Sequence, residues 1–166
     1  WSPVFAENIG GNNGHSFHSH AYQEYSIQLV REVNPELNIS AATALAEVEF
    51  SRAAVGFMAA VLDELHRLRP KARFGFYGVP NNDYCGFVAG DNCLGNAERA
   101  PVLRARNDQL LPLWRASGVI MPSIYLVDGF SDAEQWAFVS DGVLEAVRCA
   151  ELAGAEGHRL PQVLAF

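Results

Sequence analysis

Two tyrosines have the chemistry and the placement of site residues: Tyr77 in "RFGFYGVP" and Tyr125 in "MPSIYLVDG". Tyr77 ends its apolar run and Tyr125 stands near the end of its own, each ahead of a turn signal, Gly78 and Pro80 after the first and Asp128-Gly129 after the second. A phenol can donate and accept hydrogen bonds while its ring packs on an apolar surface. Parallel α/β folds gather their functional groups at the carboxyl ends of strands, and that rule selects both residues. The same layout also suits an ordinary amphipathic tyrosine that packs its ring and wets its hydroxyl. By themselves these residues define an aromatic-lined site at strand ends, without a reaction.

Other chemistry-bearing residues add little. His15, His18 and His20 fall in "HSFHSH", inside a Gly/Asn-rich stretch. Metal sites come with defined secondary structure and a further ligand, so a solvated loop is expected there and no metal. Asp83, Asp91 and Asp128 lie near strand ends, where turn chemistry accounts for them. The chain has no phosphate-cradling glycine motif, nucleophile elbow or zinc helix, and no cofactor is implied. Cys85 and Cys93 are separated by seven residues that include Gly86, Gly90, Asp91 and Asn92. That spacing suits either a small disulfide-closed loop, implying an oxidising compartment, or two free thiols. Cys149 sits in the helical pattern "LEAVRCAELA" and reads as a small buried side chain. Asn38-Ile39-Ser40 is an N-glycosylation acceptor triplet of a kind that recurs by chance.

The elements that would position the tyrosines follow from periodicity. "YQEYSIQLVREV" is helical through Tyr22, Ile27 and Val30. Ser40 is the expected N-cap of a long helix reaching Arg69, with Val48, Val55, Met58, Leu62 and Leu65 as its apolar stripe and Pro70 as its stop. A strand "RFGFYGV" follows, then a short helix around "LRARNDQLLPLW" and a second strand "GVIMPSIYLV". Ser131 to Glu134 forms a capping box for a helix whose Trp136, Val139, Val143 and Val147 share one face. Gly154 and Gly157 end it, and "LPQVLAF" is a third strand. Strands beginning near 73, 119 and 161, each separated by helix, mean α/β with a parallel sheet. Three strands make an incomplete core, which reads as part of a larger barrel or sheet.

Whole-chain totals set the outer bounds. The 166 residues suffice for one domain, and 49% hydrophobic with 19% charged is a globular composition. A net charge of −7 and a pI near 5.1 argue against a nucleic-acid partner. No apolar run reaches the length of a membrane span. Trp1-Ser2-Pro3 lacks the basic start and apolar core of a signal peptide, which leaves secretion open because a mature chain would lack one.

An ordered set of short motifs resembles the animal hyaluronidases. Trp1-x-Pro3-x-Phe5-x-x-Asn8 is similar to the family's Trp-Arg-Pro stretch, and "YSIQLVREVNPELN" to the segment after it. "LRPKARFGFYGVP", "RNDQLLPLW" and "MPSIYL" are similar to three further family motifs, with "LPQVLAF" where the next strand begins. The resemblance implies a partial (β/α)8 TIM-like barrel of about three parallel strands. Residues 1–166 would be a single catalytic-domain fragment, lacking the upstream strand with the acid motif and the downstream barrel strands. It implies an endo-β-N-acetylhexosaminidase acting on hyaluronan or chondroitin-type glycans by substrate-assisted retaining hydrolysis, in a secreted or lysosomal setting. The family's Asp-x-Glu acid motif immediately precedes the matching tryptophan, so the general acid is expected upstream of Trp1 and no catalytic residue within this chain. Tyr77 and Tyr125 correspond to tyrosines lining the substrate site, Tyr84 or Asp83 could reach substrate, and Cys85 with Cys93 match a small disulfide loop. Ser2 stands where the family has arginine, Met121 replaces a tyrosine and Phe74 a tryptophan. The absent acid, Ser2 and the acidic balance motivate an alternative: a non-catalytic glycan- or protein-binding member of the same fold.

Overall fold

The computed structural model describes residues 19–80, 92–126 and 128–165, with side chains from residue 22 onward. They form α1 (Ser19–Val33), α2 (Ile39–Leu68), α3 (Ala100–Asp108), α4 (Leu111–Ala116), β1 (Val119–Ile120), α5 (Asp132–Gly154) and β2 (Gln162–Val163). Two compact units are distinguished, Trp1–Phe57 and Met58–Phe166, with the boundary inside α2.

In the first unit the core is Val30 from α1 against Ala42 and Ala46 from α2, with Ile27, Leu37, Leu45 and Phe50 packed around it. Asn38, not Ser40, caps α2: its Oδ1 accepts from the Ala41 N–H at 2.9 Å. The carboxamide thereby satisfies one of the donors that a helix start leaves unpaired. Of the expected α2 stripe, Val55, Met58 and Leu62 are buried and Leu65 is half-buried, whereas Val48 is 63% exposed. Ala42 and Ala46 hold the inward positions instead.

In the second unit β1 and β2 pair in parallel, with Val119 opposite Gln162 and Ile120 opposite Val163. On the other side of β1 the segment 74–78 runs alongside. Phe74 O accepts from Gly118 N at 2.8 Å, Gly78 N donates to Met121 O at 2.9 Å, and Tyr77 bridges Met121 in parallel sense. The expected long strands are thus much shorter, for local reasons. Pro122 has no N–H to offer a ladder, so β1 ends before it and residues 122–126 run without a regular ladder. In the earlier segment Gly75 lies so close to β1 that a Cβ would fall onto the Val119 carbonyl oxygen. Gly78 turns the chain at φ 81°, a left-handed value that favours glycine.

The single short helix expected around residues 103–114 is two helices, with Pro101 and Pro112 in their first turns. The capping box opens α5 as expected: the Ser131 N–H donates to Glu134 Oε2 at 2.7 Å, and Ser131 Oγ accepts from the Glu134 N–H. Its buried face is a correction. Phe138, Gly142, Glu145, Ala146, Cys149, Ala150 and Ala153 face inward, while Trp136 is 76% exposed and Val147 is exposed as well. Between Phe138 and Glu145 and beyond, that face is mostly small residues, against which α4 and β2 pack. A reading that weights large apolar side chains selects the wrong face.

Candidate functional site

Parallel alignment of segment 74–78 with β1 brings the two tyrosines together. Tyr77 and Tyr125 lie with ring centroids 6.2 Å apart at an interplanar angle of 63°, an edge-to-face contact. Tyr77 is 48% exposed and Tyr125 72%, so both side chains are accessible from solvent. Ser123 completes the group: the Tyr77 hydroxyl donates to Ser123 Oγ at 3.0 Å. With its proton committed, Tyr77 offers its oxygen as an acceptor, and the Tyr125 hydroxyl is the neighbouring donor. Sequence reasoning missed Ser123. Its signal is its place two residues before Tyr125, on the same side of an extended chain.

The Tyr77 hydroxyl, as hydrogen-bond partner and as neighbouring phenol, holds Tyr125 above the usual tyrosine range. A raised folded-state pKa means this proton stabilises the fold fully below the ordinary phenol range. That contribution is lost as pH climbs through the higher value of Tyr125 itself. An alkaline absorbance titration is expected to show one phenolate forming late, and Tyr77→Phe should move that transition down toward the ordinary value. An unchanged late transition in Tyr77→Phe would mean that the two phenols do not interact.

The site is supported from behind. His66 on α2 accepts the Phe74 N–H at Nε2, 3.3 Å, and its ring lies 5.4 Å from the Phe74 ring. Gly118 allows this approach, since a Cβ there would meet His66 Nε2 at 3.0 Å and Arg73 Cα at 3.2 Å. Asp83, Tyr84, Cys85, Asp91, His15 and His18 lie outside the described residues; His20, expected in a loop, falls in the first turn of α1, and its side chain is not among those described. Cys93 is fully buried beside Leu94 and Leu103. Asn92 next to it donates to Asp141 Oδ2 on α5 at 2.6 Å, which anchors the chain immediately before Cys93. Asp128 is exposed in a turn whose Gly129 has φ 89°, in keeping with a turn role. Among the described residues no group of three or more His, Cys, Asp or Glu side chains could hold a metal ion, and no helix is long and apolar enough to cross a membrane.

The stretch "RNDQLLPLW" serves the scaffold. The Asn107 carbonyl accepts from Trp114 Nε1 at 2.8 Å, and Asn107 Nδ2 donates to Glu145 Oε1 at 2.8 Å. Glu145, buried on α5, also takes two hydrogen bonds from Arg148, which reaches Asp108 at 2.7 Å. Next to them Cys149 is free and buried; desolvation, with the Glu145 charge adding to it, pushes its thiol up to about 12. Such a thiol is inert at neutral pH, as expected of a packing residue.

Taken together, the fold and site define a parallel strand-and-helix scaffold with a hydroxyl-bearing aromatic pair at its strand ends. Known proteins give that class a family. A family model described as hyaluronidase matches residues 1–166. The hyaluronidase of Echis ocellatus is 32% identical over 163 residues, covering 97% of this chain and 34% of that protein. Hyaluronidase-1 of Cerastes cerastes is 33% identical over the same length, with the same coverage. Among solved structures, bee venom hyaluronidase in complex with a hyaluronic acid tetramer superposes with a TM-score of 0.78 at 24% identity, covering 99% of this chain and 46% of that one. The chain belongs to the hyaluronidase family. It spans about a third of the length of the curated relatives it matches.

Proposed function

We propose that this chain forms the central part of a (β/α)8 barrel that hydrolyses hyaluronan and chondroitin-type glycans, with Tyr77 and Tyr125 lining the substrate cleft. The observation that carries this reading is the exposed Tyr77–Ser123–Tyr125 group at the ends of adjacent parallel segments. Segment 74–78, β1 and β2 lie side by side in chain order with helices between them, the winding of a barrel. Exposed Trp136, Leu144 and Leu160 fit helix and strand surfaces that further barrel elements would cover.

In this reading the general acid belongs to the segment preceding Trp1 and protonates the leaving oxygen. The acetamido oxygen of the substrate attacks the anomeric carbon, and water then opens the cyclic intermediate with net retention. The part of this chain is positional and electrostatic. When substrate binds, the Tyr125 hydroxyl turns from Tyr77 to donate to the acetamido group or to the acid, the Tyr77 oxygen is then open to accept, and the ring faces pack on sugar. Cys85 and Cys93 would pair to hold the wall beside Tyr77, with Asp83 or Tyr84 reaching substrate from that loop. A disulfide of this kind belongs to a secretory route, where the glycan substrates also lie.

The test is to incubate the full-length protein with hyaluronan and with chondroitin and follow the products by NMR. New β-configured N-acetylhexosamine reducing ends are expected. Oligosaccharide binding without turnover would select the non-catalytic alternative, which the acidic balance of the chain favours. Neither binding nor cleavage would overturn both.

A further inference from the structure

Asn38-Ile39-Ser40 is the sole Asn-x-Ser/Thr triplet in the 166 residues, and the structure gives it a defined geometry. Asn38 begins α2 with its main-chain carbonyl accepting from Ala42 N at 2.9 Å and its side-chain Oδ1 accepting from Ala41 N at 2.9 Å. One end of the carboxamide is therefore oriented by the helix. The other end, Nδ2, makes no hydrogen bond to the described residues, and Asn38, Ile39 and Ser40 are all exposed. A group attached to Nδ2 would leave Oδ1 in place, because an N-substituted amide keeps its carbonyl oxygen as an acceptor. Capping and modification thus use opposite ends of one side chain.

We propose that Asn38 is an N-glycosylation site, carrying an N-acetylglucosamine-linked oligosaccharide on Nδ2 while Oδ1 continues to cap α2. The donor class is a lipid-pyrophosphate-linked oligosaccharide of the secretory pathway, so the inference rests on the extracytoplasmic reading above. In the transfer Nδ2 attacks the anomeric carbon of the donor and a C–N bond forms. The bond from that carbon to the pyrophosphate oxygen breaks, the lipid pyrophosphate leaves with the electron pair, and the proton shed by Nδ2 passes to solvent. The hydroxyl of Ser40 is the element of the triplet that the transferase requires. It is free for that task because Asn38 does the capping.

The experiment expresses the full-length protein behind a cleavable secretion signal in eukaryotic cells. The peptide containing Asn38 is examined by mass spectrometry, in cell-retained and secreted material alike, since transfer precedes release. Wild type and Ser40→Thr are expected to carry one glycan on that peptide, released by peptide N-glycosidase with conversion of Asn38 to aspartate. Ser40→Ala and Asn38→Asp should carry none, yet keep the thermal transition of the enzymatically deglycosylated wild type, because both retain a capping oxygen. An unmodified Asn38 peptide in wild type, or one still modified in Ser40→Ala, would overturn the proposal. The supplied signal separates this from the route reading: a native protein that stays in the cytosol defeats that reading alone.

Discussion

Tyr125→Phe in the full-length protein is expected to lower kcat/KM on hyaluronan about a hundredfold while leaving the unfolding transition unchanged. The substitution keeps the ring and its edge contact with Tyr77, and it removes only a hydroxyl on a side chain that is 72% exposed. Stability has little to lose at such a position. Turnover has much to lose, because removing one hydrogen-bond donor aimed at developing charge costs about 10²–10³ in rate. The effect should fall on kcat more than on KM if the phenol acts in the transition state and not in ground-state binding. Ser123→Ala should give a smaller loss of the same kind, since it frees the Tyr77 proton without deleting either phenol, and Ser123→Thr should restore it. A Tyr125→Phe enzyme within twofold of wild type would remove this residue from the machinery.

What was legible in the sequence, and what was not, follows from how local each signal is. The Ser131–Glu134 box, the stop at Pro70 and the parallel alternation are written in neighbouring residues, and the structure keeps them. The tyrosine pairing was legible as a rule about strand ends, since Tyr77 closes one apolar run and Tyr125 stands near the end of another. Their 6.2 Å separation depends on the register that Gly75 permits and Met121 fixes, which no local pattern contains. The missed cap is a competition between two good N-cap residues two positions apart. Asn38 wins because the helix begins at Ile39, placing Ala41 at the third helical position. The buried face of α5 is hidden from any count of large apolar residues. Its interior is lined by Ala146, Ala150 and Ala153 around a buried glutamate, a pattern that carries almost no hydrophobic signal of its own.

That glutamate carries the largest stability prediction. Arg148→Met is expected to destabilise the full-length protein by about 3 kcal/mol, read from the midpoint of urea unfolding at constant slope. The Glu145 side chain is only 2% exposed, and Arg148 gives it hydrogen bonds of 2.8 Å and 2.7 Å. Without them the carboxylate keeps the Asn107 amide at 2.8 Å and the more distant Arg104 at 3.6 Å. A buried charge stripped of its main partner costs more than the pair contributed when intact, because the desolvation remains after the attraction is gone. The loss sits at the lower end of that range because Arg148 itself is 33% exposed. The carboxylate also holds the Arg148 guanidinium more firmly protonated than usual, the reciprocal sign of the same attraction. The double variant Glu145→Gln/Arg148→Met distinguishes this account from simple loss of packing. It removes the buried charge while a glutamine oxygen can still accept from Asn107, so it should recover about 2 kcal/mol of the loss. A single-variant loss below about 1 kcal/mol would place the pair with solvent-screened surface bridges. The helices α3 and α5 would then be held together chiefly by apolar packing and the Asn107 bond.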